Sequence, residues 1–254
     1  MHTETKIGGR RLNETSQENE PLVSIITVVF RASQDLPALL DSVFRLKGND
    51  VELIVVDGGS NDGTTDLLRE HDSQIDYWIS EADRGIYDAM NKAIRSARGK
   101  FLLHLNAGDR LLSIPRRELE EAASSGVEIA AFRVSIDGRY DFRPSHGMEL
   151  RFNNTLHHQG TFFRRETFPV YDIRYKVFAD FDMNQKFALG GVKMKMFDQV
   201  VAFHSTDGVS SAPSRSTNRE FFRIIRKNYG LHYLPGAWML CKWRGLKSRL
   251  GLHN

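Results

Sequence analysis

Four strongly apolar runs alternate with helical stretches over the first 110 residues of the chain. The runs lie at residues 23–30, 51–56, 77–79 and 101–105. The first two are nearly continuous and rich in β-branched residues, which is typical of strands buried on both faces. Helices are predicted from about residue 35, near 64–71, and over 86–97, the last with the i, i+3, i+4 stripe of a half-buried helix.

This alternation predicts an α/β fold with a doubly wound, mostly parallel sheet and right-handed crossovers. In such a sheet, ligands bind in the crevice beyond the carboxyl ends of the strands. Asp57, Asp83 and Asp109 each follow a predicted strand, so three carboxylates should face one crevice. Turns also favour aspartate, because its side chain bonds the nearby backbone. Taken together, the three positions favour a ligand site.

Asp57 and Asp109 each have two interpretations. Asp57 is either a turn residue or a carboxylate that accepts an N–H of a nucleotide base, with Gly58 and Gly59 permitting close approach. Asp109 is either a turn residue or a ligand of a hard divalent cation, since such ions take oxygen ligands.

Arg84 lies in the first turn of the helix predicted over 86–97, where a cation opposes the helix dipole. It is either a surface arginine paired with Glu81 or Asp83, or a cation aimed at a ligand phosphate beside the helix N-terminus. The second acidic loop, which ends at Asp109, favours the phosphate.

The regular alternation ends after Asp109. Helices are predicted near 114–124 and 181–189, strands at 128–135 and 195–203, and a pair of helices with a break at 233–236 near the end. Residues 1–20 are polar and are predicted to be a disordered leader. The expected division is a leader over 1–20, a main domain over 21–212 with halves 21–110 and 111–212, and a helical appendage over 213–254.

The composition is that of a globular protein with one large domain: 254 residues, 41% hydrophobic and 26% charged. The net charge of +3 is small, and we expect no nucleic-acid partner. The single cysteine, Cys241, excludes an internal disulfide and a cysteine-rich metal site. The sequence has neither a run of ~18 apolar residues nor an apolar signal segment. We therefore expect a protein of the cytoplasm, possessing at most a peripheral contact with the inner face of the plasma membrane.

Two other nucleotide-binding classes fit the sequence poorly. A dinucleotide-binding fold requires G-x-G-x-x-G after the first strand, and residues 30–35 contain no glycine. A sugar-phosphate nucleotidyltransferase requires a glycine-rich loop after the first strand. Residues 7–12 (IGGRRL) faintly resemble that loop, but no strand is predicted before them.

Four motifs in residues 21–109 resemble those of one enzyme family. They are SIITVVF (24–30), VVDGGSNDGT (55–64), SEADRGIYDAMNKA (80–93) and LNAGD (105–109). They are similar to the motifs of family-two, inverting nucleotide-sugar glycosyltransferases of the Rossmann-like GT-A fold, in particular the subgroup that builds bacterial exopolysaccharides such as colanic acid. The resemblance implies transfer of a sugar from a UDP- or GDP-sugar to a glycan acceptor, commonly one carried on a polyprenyl diphosphate.

The resemblance also implies roles for residues of the first half. The base would be held by Thr27, Val29 and Asp57, the nucleotide lined by Asp83 and Arg84, and a Mg²⁺ or Mn²⁺ ion bound by Asp109. One motif departs from the family, because the usual D-x-D becomes Asn106-Ala107-Gly108 and leaves Asp109 as the lone carboxylate. Asn106 then remains a donor-binding residue without a carboxylate. This departure leaves open an alternative, a GT-A protein that binds nucleotide sugars but has lost its chemistry.

In the second half the resemblance is confined to short segments. His158-Gln159, followed by Phe162-Phe163-Arg164, resembles a segment near the acceptor site, and it is equally typical of a loop at a sheet edge. His204 lies where some relatives have a metal or diphosphate contact. Asp180 lies where the family has its catalytic aspartate.

An inverting transfer needs one carboxylate to take the proton of the acceptor hydroxyl, and Asp180 is the expected general base. Asp182 is the alternative. Because positions i and i+2 of a helix point to different faces, only one of the two faces the donor.

The last segment, residues 233–254, has two interpretations. Its apolar residues are Trp238, Met239, Leu240, Trp243, Leu246 and Leu250, its basic residues are Lys242, Arg244, Lys247 and Arg249, and it has no acidic residue. That pattern is typical of a helix lying on an anionic membrane surface. It is equally typical of a helix that packs its stripe onto the main domain, since periodicity does not separate the two.

Overall fold

The computed structural model describes residues 5–12, 20–206 and 215–249. The strands are β1 (Lys6–Gly8), β2 (Val23–Val29), β3 (Val51–Asp57), β4 (Tyr77–Ser80), β5 (Phe101–His104), β6 (Arg110–Leu111), β7 (Ile129–Ile136), β8 (Tyr140–Phe142), β9 (Thr161–Arg164) and β10 (Met194–His204). The α-helices are α1 (Leu36–Leu46), α2 (Thr64–Glu70), α3 (Ile86–Ser96), α4 (Arg116–Ser124), α5 (Ala179–Leu189), α6 (Arg215–Tyr229) and α7 (Leu234–Arg249).

The strands form one mostly parallel sheet. Their order is β1-β4-β3-β2-β5-β9-β7-β10-β6, and β8 extends from β7. β2, β3, β4 and β5 run parallel to one another, as do β7 and β10, whereas β1, β6 and β9 are antiparallel to their neighbours. The predicted doubly wound α/β sheet with a helical C-terminal segment is confirmed.

Two apolar layers cover the sheet because successive side chains of each buried strand point to opposite faces. Ile25 of β2 belongs to the layer that holds α1, α2 and α4. Ile26, the next residue, belongs to the layer that holds α3, α5, α6 and α7. Both side chains are fully buried, as the absence of polar alternation in this run predicts.

The strand register brings distant polar residues together at the carboxyl edge. In the first half, Asp57 at the end of β3 lies beside Val29 on one side and Ser80 on the other. In the second half, Phe203 of β10 pairs with Arg110 of β6 in antiparallel register. Their sequence neighbours, His204 and Asp109, therefore lie opposite each other.

The prediction of a disordered leader is wrong for residues 5–12. β1 pairs with β4. Two salt bridges fix the turn that follows β1, from Arg10 to Asp76 at 2.6 Å and from Arg11 to Glu52 at 3.0 Å. Residues 9–12 lie near the amino end of β4, at the opposite edge from the crevice. The rest of the predicted leader, residues 1–4 and 13–19, lies outside the described residues.

Two further expectations need correction. The stretch 136–154, for which the sequence analysis predicts no helix or strand, contains β8 and a short 3₁₀ turn over Met148–Arg151. The break between the last helices spans residues 230–233, with Gly230 at φ of 92°, and overlaps the predicted break at 233–236 only at Tyr233. Pro235 lies in the first turn of α7, where no intrahelical N–H bond is lost.

Candidate functional site

Asp57 is a fully buried carboxylate at the end of β3. It accepts hydrogen bonds from the Ser80 hydroxyl at 2.6 Å, from the Ser60 backbone N–H at 2.9 Å and from the Ser60 hydroxyl. The turn geometry considered from the sequence is therefore present. It does not exclude a ligand, since each carboxylate oxygen has two lone pairs.

The structure places the other two predicted base-holding residues behind the strand end. The backbone carbonyl of Val29 accepts the N–H of Gly58 at 2.9 Å. Thr27 is fully buried, and its hydroxyl has no hydrogen-bond partner within the described part of the chain. Neither side chain is brought to the surface of the crevice.

Phe30 is a site residue that the sequence analysis missed. It was read as the last residue of a buried strand, but β2 ends at Val29 and 60% of Phe30 is exposed. The chain turns sharply here, with Arg31 in the left-handed region at φ of 53° and its N–H bonded to the Ser60 hydroxyl at 2.7 Å. The exposed ring lies beside Gly58 and offers a stacking surface.

Asp83 closes the same crevice from the other side. A Cβ on Gly58 would lie only 2.5 Å from Oδ2 of Asp83, so glycine is needed for the β3 loop and Asp83 to approach this closely. The other oxygen of Asp83 accepts the N–H of Gly85 at 2.7 Å, just before α3 begins. The loops that carry Asp57 and Asp83 therefore lie against each other at the carboxyl edge of the sheet.

Arg84 pairs with a residue that the sequence analysis did not consider. Its guanidinium bonds the carboxylate of Asp88 at 3.1 Å, one helical turn along α3, and not Glu81 or Asp83. Glu81 pairs instead with Lys92 at 2.8 Å. The Arg84 side chain is 74% exposed, so the cation is accessible to a ligand at the N-terminus of α3.

Asp109 is the centre of a hydrogen-bonded cluster at the end of the loop from β5 to β6. Its Oδ1 lies 2.8 Å from Nδ1 of His204. Its Oδ2 accepts bonds from Nε2 of Gln159 at 2.8 Å and from the backbone N–H of Asn106 at 3.2 Å. The cluster brings the two predicted metal ligands into direct contact with one predicted acceptor residue.

The donor atoms of this cluster fit a divalent cation that is also held by a ligand's phosphates. Across the described ranges, no group of three or more His, Cys, Asp or Glu side chains could hold a metal. Mg²⁺ and related ions, however, are often bound by only one or two carboxylates together with phosphates and water. Beside Asp109, the buried Oδ1 of Asn106 has no hydrogen-bond partner among the described residues, which leaves one further oxygen donor. With the imidazole of His204, this mixed set suits Mn²⁺ better than Mg²⁺.

Asp180 lies in the first turn of α5 and is surrounded by hydrogen-bond donors. Asn154 donates to its Oδ2 at 2.7 Å, the Tyr87 hydroxyl lies 3.1 Å from its Oδ1, and Nδ1 of His158 lies 3.6 Å from Oδ2. Burial raises the pKa of this carboxyl, but His158 and Tyr87 outweigh it, so the pKa lies below its ordinary value. Asp180 is therefore ionised at neutral pH.

The structure does not bring Asp182 to this cluster. Its buried carboxylate lies 2.7 Å from Nζ of Lys186 and 3.2 Å from Nζ of Lys227, and it accepts a bond from Asn228 at 3.1 Å. Its contacts therefore connect α5 to α6.

One short turn links the two clusters. Nε2 of His158 lies 3.4 Å from the side-chain nitrogen of Asn106, and the neighbouring Gln159 bonds Asp109. Gly160 permits this turn to lie against β7, because a Cβ there would be 2.7 Å from the carbonyl oxygen of Phe132. His158 thus contacts the Asn106 loop on one side and approaches Asp180 on the other.

His104 is a buried histidine behind this turn that the sequence analysis also missed. Both ring nitrogens lack a hydrogen-bond partner within the described residues, and the ring packs against Tyr171 at 5.6 Å and Phe168 at 5.9 Å. Burial, assisted by the charge of His158, lowers the pKa of His104 to about 3. His104 is therefore neutral in the folded protein at all moderate pH values.

We expect His104 to make the protein sensitive to acid. Between pH 6.5 and pH 3 the unfolded chain takes up a proton at this position and the folded chain does not, so stability falls as the pH falls. The loss from pH 7 to pH 5 is about 2 kcal/mol from this residue. Urea unfolding of His104→Phe at both pH values should show a loss smaller by that amount. An equal loss of stability in both proteins would show that His104 is not the source. Burial also lowers the pKa of His157, but His157 is present in both proteins and contributes equally to each.

The mostly parallel sheet, with carboxylates at its carboxyl edge, is the arrangement expected of a GT-A fold. The chain belongs to glycosyl transferase family 2, whose model matches residues 24–179. It is 32% identical over 246 residues to the PGL/p-HBAD biosynthesis glycosyltransferase of Mycobacterium bovis (strain BCG / Pasteur 1173P2), covering 90% of this chain and 93% of that relative. It is also 33% identical over 94 residues to the putative teichuronic acid biosynthesis glycosyltransferase TuaG of Bacillus subtilis (strain 168), covering 36% of this chain and 37% of that one.

Solved structures show the same fold at low identity. S. aureus TarS 1-349 in complex with UDP-GlcNAc superimposes with a TM-score of 0.64 at 15% identity, covering 81% of this chain and 66% of that chain. The mannosyltransferase PcManGT from Pyrobaculum calidifontis, in complex with GDP-Man and Mn²⁺, superimposes with a TM-score of 0.55 at 20% identity, covering 81% and 61%. The chain spans only 38% of the longer TarS chain.

Proposed function

We propose that this enzyme transfers a sugar, with inversion, from a UDP- or GDP-sugar to a glycan acceptor in bacterial polysaccharide or glycolipid biosynthesis. The observation that carries the proposal is the turn His158–Gly160. It joins the Asp109 cluster, which would hold the donor, to Asp180, which would activate the acceptor. A protein that only binds nucleotide sugars has no need for a second carboxylate held next to the donor loop.

The reaction follows from these positions. Asp57, Asp83 and the ring of Phe30 would hold the nucleoside, with Arg84 and the N-terminus of α3 beside the diphosphate. The acceptor oxygen attacks the anomeric carbon as Asp180 takes its proton, and the bond from that carbon to the diphosphate oxygen breaks. Attack from the face opposite the leaving group inverts the anomeric centre. The nucleoside diphosphate leaves with the electron pair.

Asp109 and His204, with Oδ1 of Asn106, would hold a Mn²⁺ or Mg²⁺ ion. When bound, the ion offsets the negative charge that develops on the leaving diphosphate. To bind it, Asp109 and His204 must exchange their mutual hydrogen bond for the metal. Asn106 at the first position of the usual D-x-D is compatible with this role, because an amide oxygen is also a ligand of hard cations.

We also propose an acceptor class and a role for each half of the main domain. The motifs favour the exopolysaccharide subgroup of colanic-acid type, and the relatives in glycolipid and teichuronic acid biosynthesis support a bacterial glycan more broadly. We propose an acceptor carried on a polyprenyl diphosphate, with 21–110 serving the donor and 111–212 the acceptor. His158 and Gln159 would then lie at the boundary between the two.

A donor panel tests this function. We expect UDP or GDP, and one of UDP-glucose, UDP-galactose, UDP-GlcNAc and GDP-mannose, to raise the melting temperature, and to raise it further with Mn²⁺. The effective nucleotide sugar should release its nucleoside diphosphate when membrane lipid extract is added. Stabilisation without release would favour the alternative, a binding protein with lost chemistry. No stabilisation by any nucleotide would overturn the proposal.

We also propose that the C-terminal segment contacts an anionic membrane surface. None of the helices in the described ranges is long and apolar enough to cross a membrane. At the start of α7, Trp238 is 56% and Met239 is 66% exposed, and Lys242 lies over the Trp238 ring at 5.1 Å. Ala237 on the same helix is buried, so α7 also packs onto the domain. The side chains of 243–249 and the residues 250–254 lie outside the described part.

Sedimentation with lipid vesicles checks this contact. The protein should bind vesicles containing phosphatidylglycerol at low salt and lose binding at high salt, because cations attract the anionic surface. Replacing Trp238 and Met239 with serine should weaken binding. Leu189→Ser, at another exposed apolar position, is the matched control and should leave it unchanged. Equal binding by all three proteins would assign the tail a purely structural role.

A further inference from the structure

Glu220 of α6 binds the chain immediately before α5. Its carboxylate accepts hydrogen bonds from three consecutive backbone N–H groups, those of Lys176 at 2.9 Å, Val177 at 2.9 Å and Phe178 at 2.6 Å. Successive N–H groups that converge in this way form an anion-binding concavity. Phe178 precedes α5 and has no side-chain oxygen with which to cap the helix. A carboxylate from a different helix therefore fixes the entry into α5.

The segment that Glu220 holds also contacts the catalytic side of the crevice. The Tyr87 hydroxyl of α3 donates to the carbonyl oxygen of Val177 at 2.5 Å, and the same hydroxyl lies 3.1 Å from Oδ1 of Asp180. Nζ of Lys176 donates to the carbonyl oxygen of Arg84 at 3.4 Å. Residues 176–178 are thus clamped between α3 and α6, and Asp180 follows two residues later.

The rest of the interface between α5 and α6 lies further along both helices. Phe221 stacks on Phe181 with ring centroids 5.3 Å apart. Lys227 and Asn228 bind Asp182, and Asn228 also binds Gln185 at 2.8 Å. Phe221 also packs against Phe178, with ring centroids 5.9 Å apart, and Lys227 donates to the Tyr175 hydroxyl at 3.2 Å, so both lie near residues 176–178. Among the described residues, Asn228 bonds only the body of α5, at Asp182 and Gln185. The interface therefore offers Glu220, which acts on the start of α5, and Asn228, which acts on its body.

We infer that Glu220 is a positioning residue that orders residues 176–178 and thereby sets the carboxylate of Asp180 at the crevice. The inference rests on the proposed role of Asp180 as the general base. It assigns the C-terminal helices a part in the chemistry, in addition to any contact with a membrane. The physical reason is that a carboxylate must point at the acceptor hydroxyl within hydrogen-bond reach, and a small displacement lowers the rate steeply.

Amide hydrogen exchange tests the local ordering without a substrate. In Glu220→Ala, exchange of the amides of residues 176–178 should accelerate at least ~10-fold, since three bonded N–H groups lose their acceptor. Glu220→Gln keeps one oxygen acceptor. The amides of Val177 and Phe178, which share one oxygen of Glu220, should stay protected from exchange, whereas the amide of Lys176, which bonds the other oxygen, should exchange faster. Asn228→Ala, which removes hydrogen bonds to the body of α5, is the matched control and should leave these three amides unchanged. Unchanged exchange in Glu220→Ala would overturn the inference.

Turnover tests the link to Asp180. With the panel's effective nucleotide sugar, or UDP-GlcNAc if several serve, Glu220→Ala should lower kcat ~10–100-fold, the scale of a 1 Å misplacement. KM for the donor should change little, and Glu220→Gln should recover much of the rate. In an Asp180→Asn background, Glu220→Ala should cost almost nothing more, because the two residues act in one step.

Different results would contradict the role of Glu220 and the role of Asp180. Multiplying losses in the double variant, or a fully active Glu220→Ala, would overturn this inference alone. A fully active Asp180→Asn would overturn the proposed base. A loss in Asn228→Ala as large as that in Glu220→Ala would show that the effect comes from the general stability of the interface, and would also overturn the inference.

Discussion

Asp180→Asn should lower the rate of sugar transfer by about 10²–10⁴-fold, the usual contribution of a general base. The amide cannot take the acceptor's proton, but it keeps the shape of the carboxylate and one oxygen for Asn154 or Tyr87. Binding of the nucleotide should therefore be unchanged. Single-turnover rates and calorimetric titration with UDP or GDP would measure the two effects separately.

Asp182→Asn is the matched control for that substitution. It makes the same chemical change two residues along α5, where the side chain bonds Lys186 and Lys227. We expect a lower melting temperature, because a buried carboxylate loses its charge beside two cations, and a nearly normal rate per folded molecule. If Asp180→Asn stays active and Asp182→Asn does not, the roles of the two residues are reversed.

Asp109→Asn should remove most of the effect of Mn²⁺ on nucleotide binding. Disturbing only the support of a metal ligand commonly costs 10–100-fold in metal affinity, so loss of a carboxylate ligand should cost at least ~10-fold. The substitution also disturbs the cluster. In the unaltered protein Gln159 and His204 bond the two carboxylate oxygens of Asp109, and in Asp109→Asn an NH₂ group replaces one of those oxygens. Titration of UDP or GDP with and without Mn²⁺ would measure this.

Asp62→Asn provides the comparison for Asp109. Asp62 is also a loop aspartate beyond a strand end, but it accepts bonds from Thr64 and Ser33 and lies outside the cluster. Its substitution should leave the response to Mn²⁺ intact. Equal responses to Mn²⁺ in Asp109→Asn and the unaltered protein would refute Asp109 as the ligand.

The first half of the site was predictable because its geometry is local. A buried strand is recognised in the sequence by its apolar run. In a parallel sheet, the residues that follow the strand lie at the carboxyl edge. Asp57 and Asp83 were found in this way. The partner of Arg84 could also have been predicted, because Asp88 lies at the i+4 spacing at which side chains pair on a helix.

In the second half, candidate residues were named from the family resemblance, but their contacts were not predictable because they join distant segments. Asp109 and His204 meet through β6, a strand of two residues that pairs with the end of β10. So short a strand leaves no periodic signal. Glu220 and residues 176–178 likewise meet only through the packing of α6 on α5. Phe30 was misread for the opposite reason, because the apolar run continues one residue past the point where the backbone turns away.

Residues 6–8 cover one edge of the central sheet. A strand edge with free N–H and C=O groups is a template for pairing with another molecule, and β1 covers that edge on β4. Arg11 also partners Glu52, a carboxylate buried in β3. A recombinant fragment that begins at residue 21, the boundary suggested by the sequence, would uncover both. We expect such a fragment to aggregate more readily than the full chain, which light scattering at matched concentrations would measure.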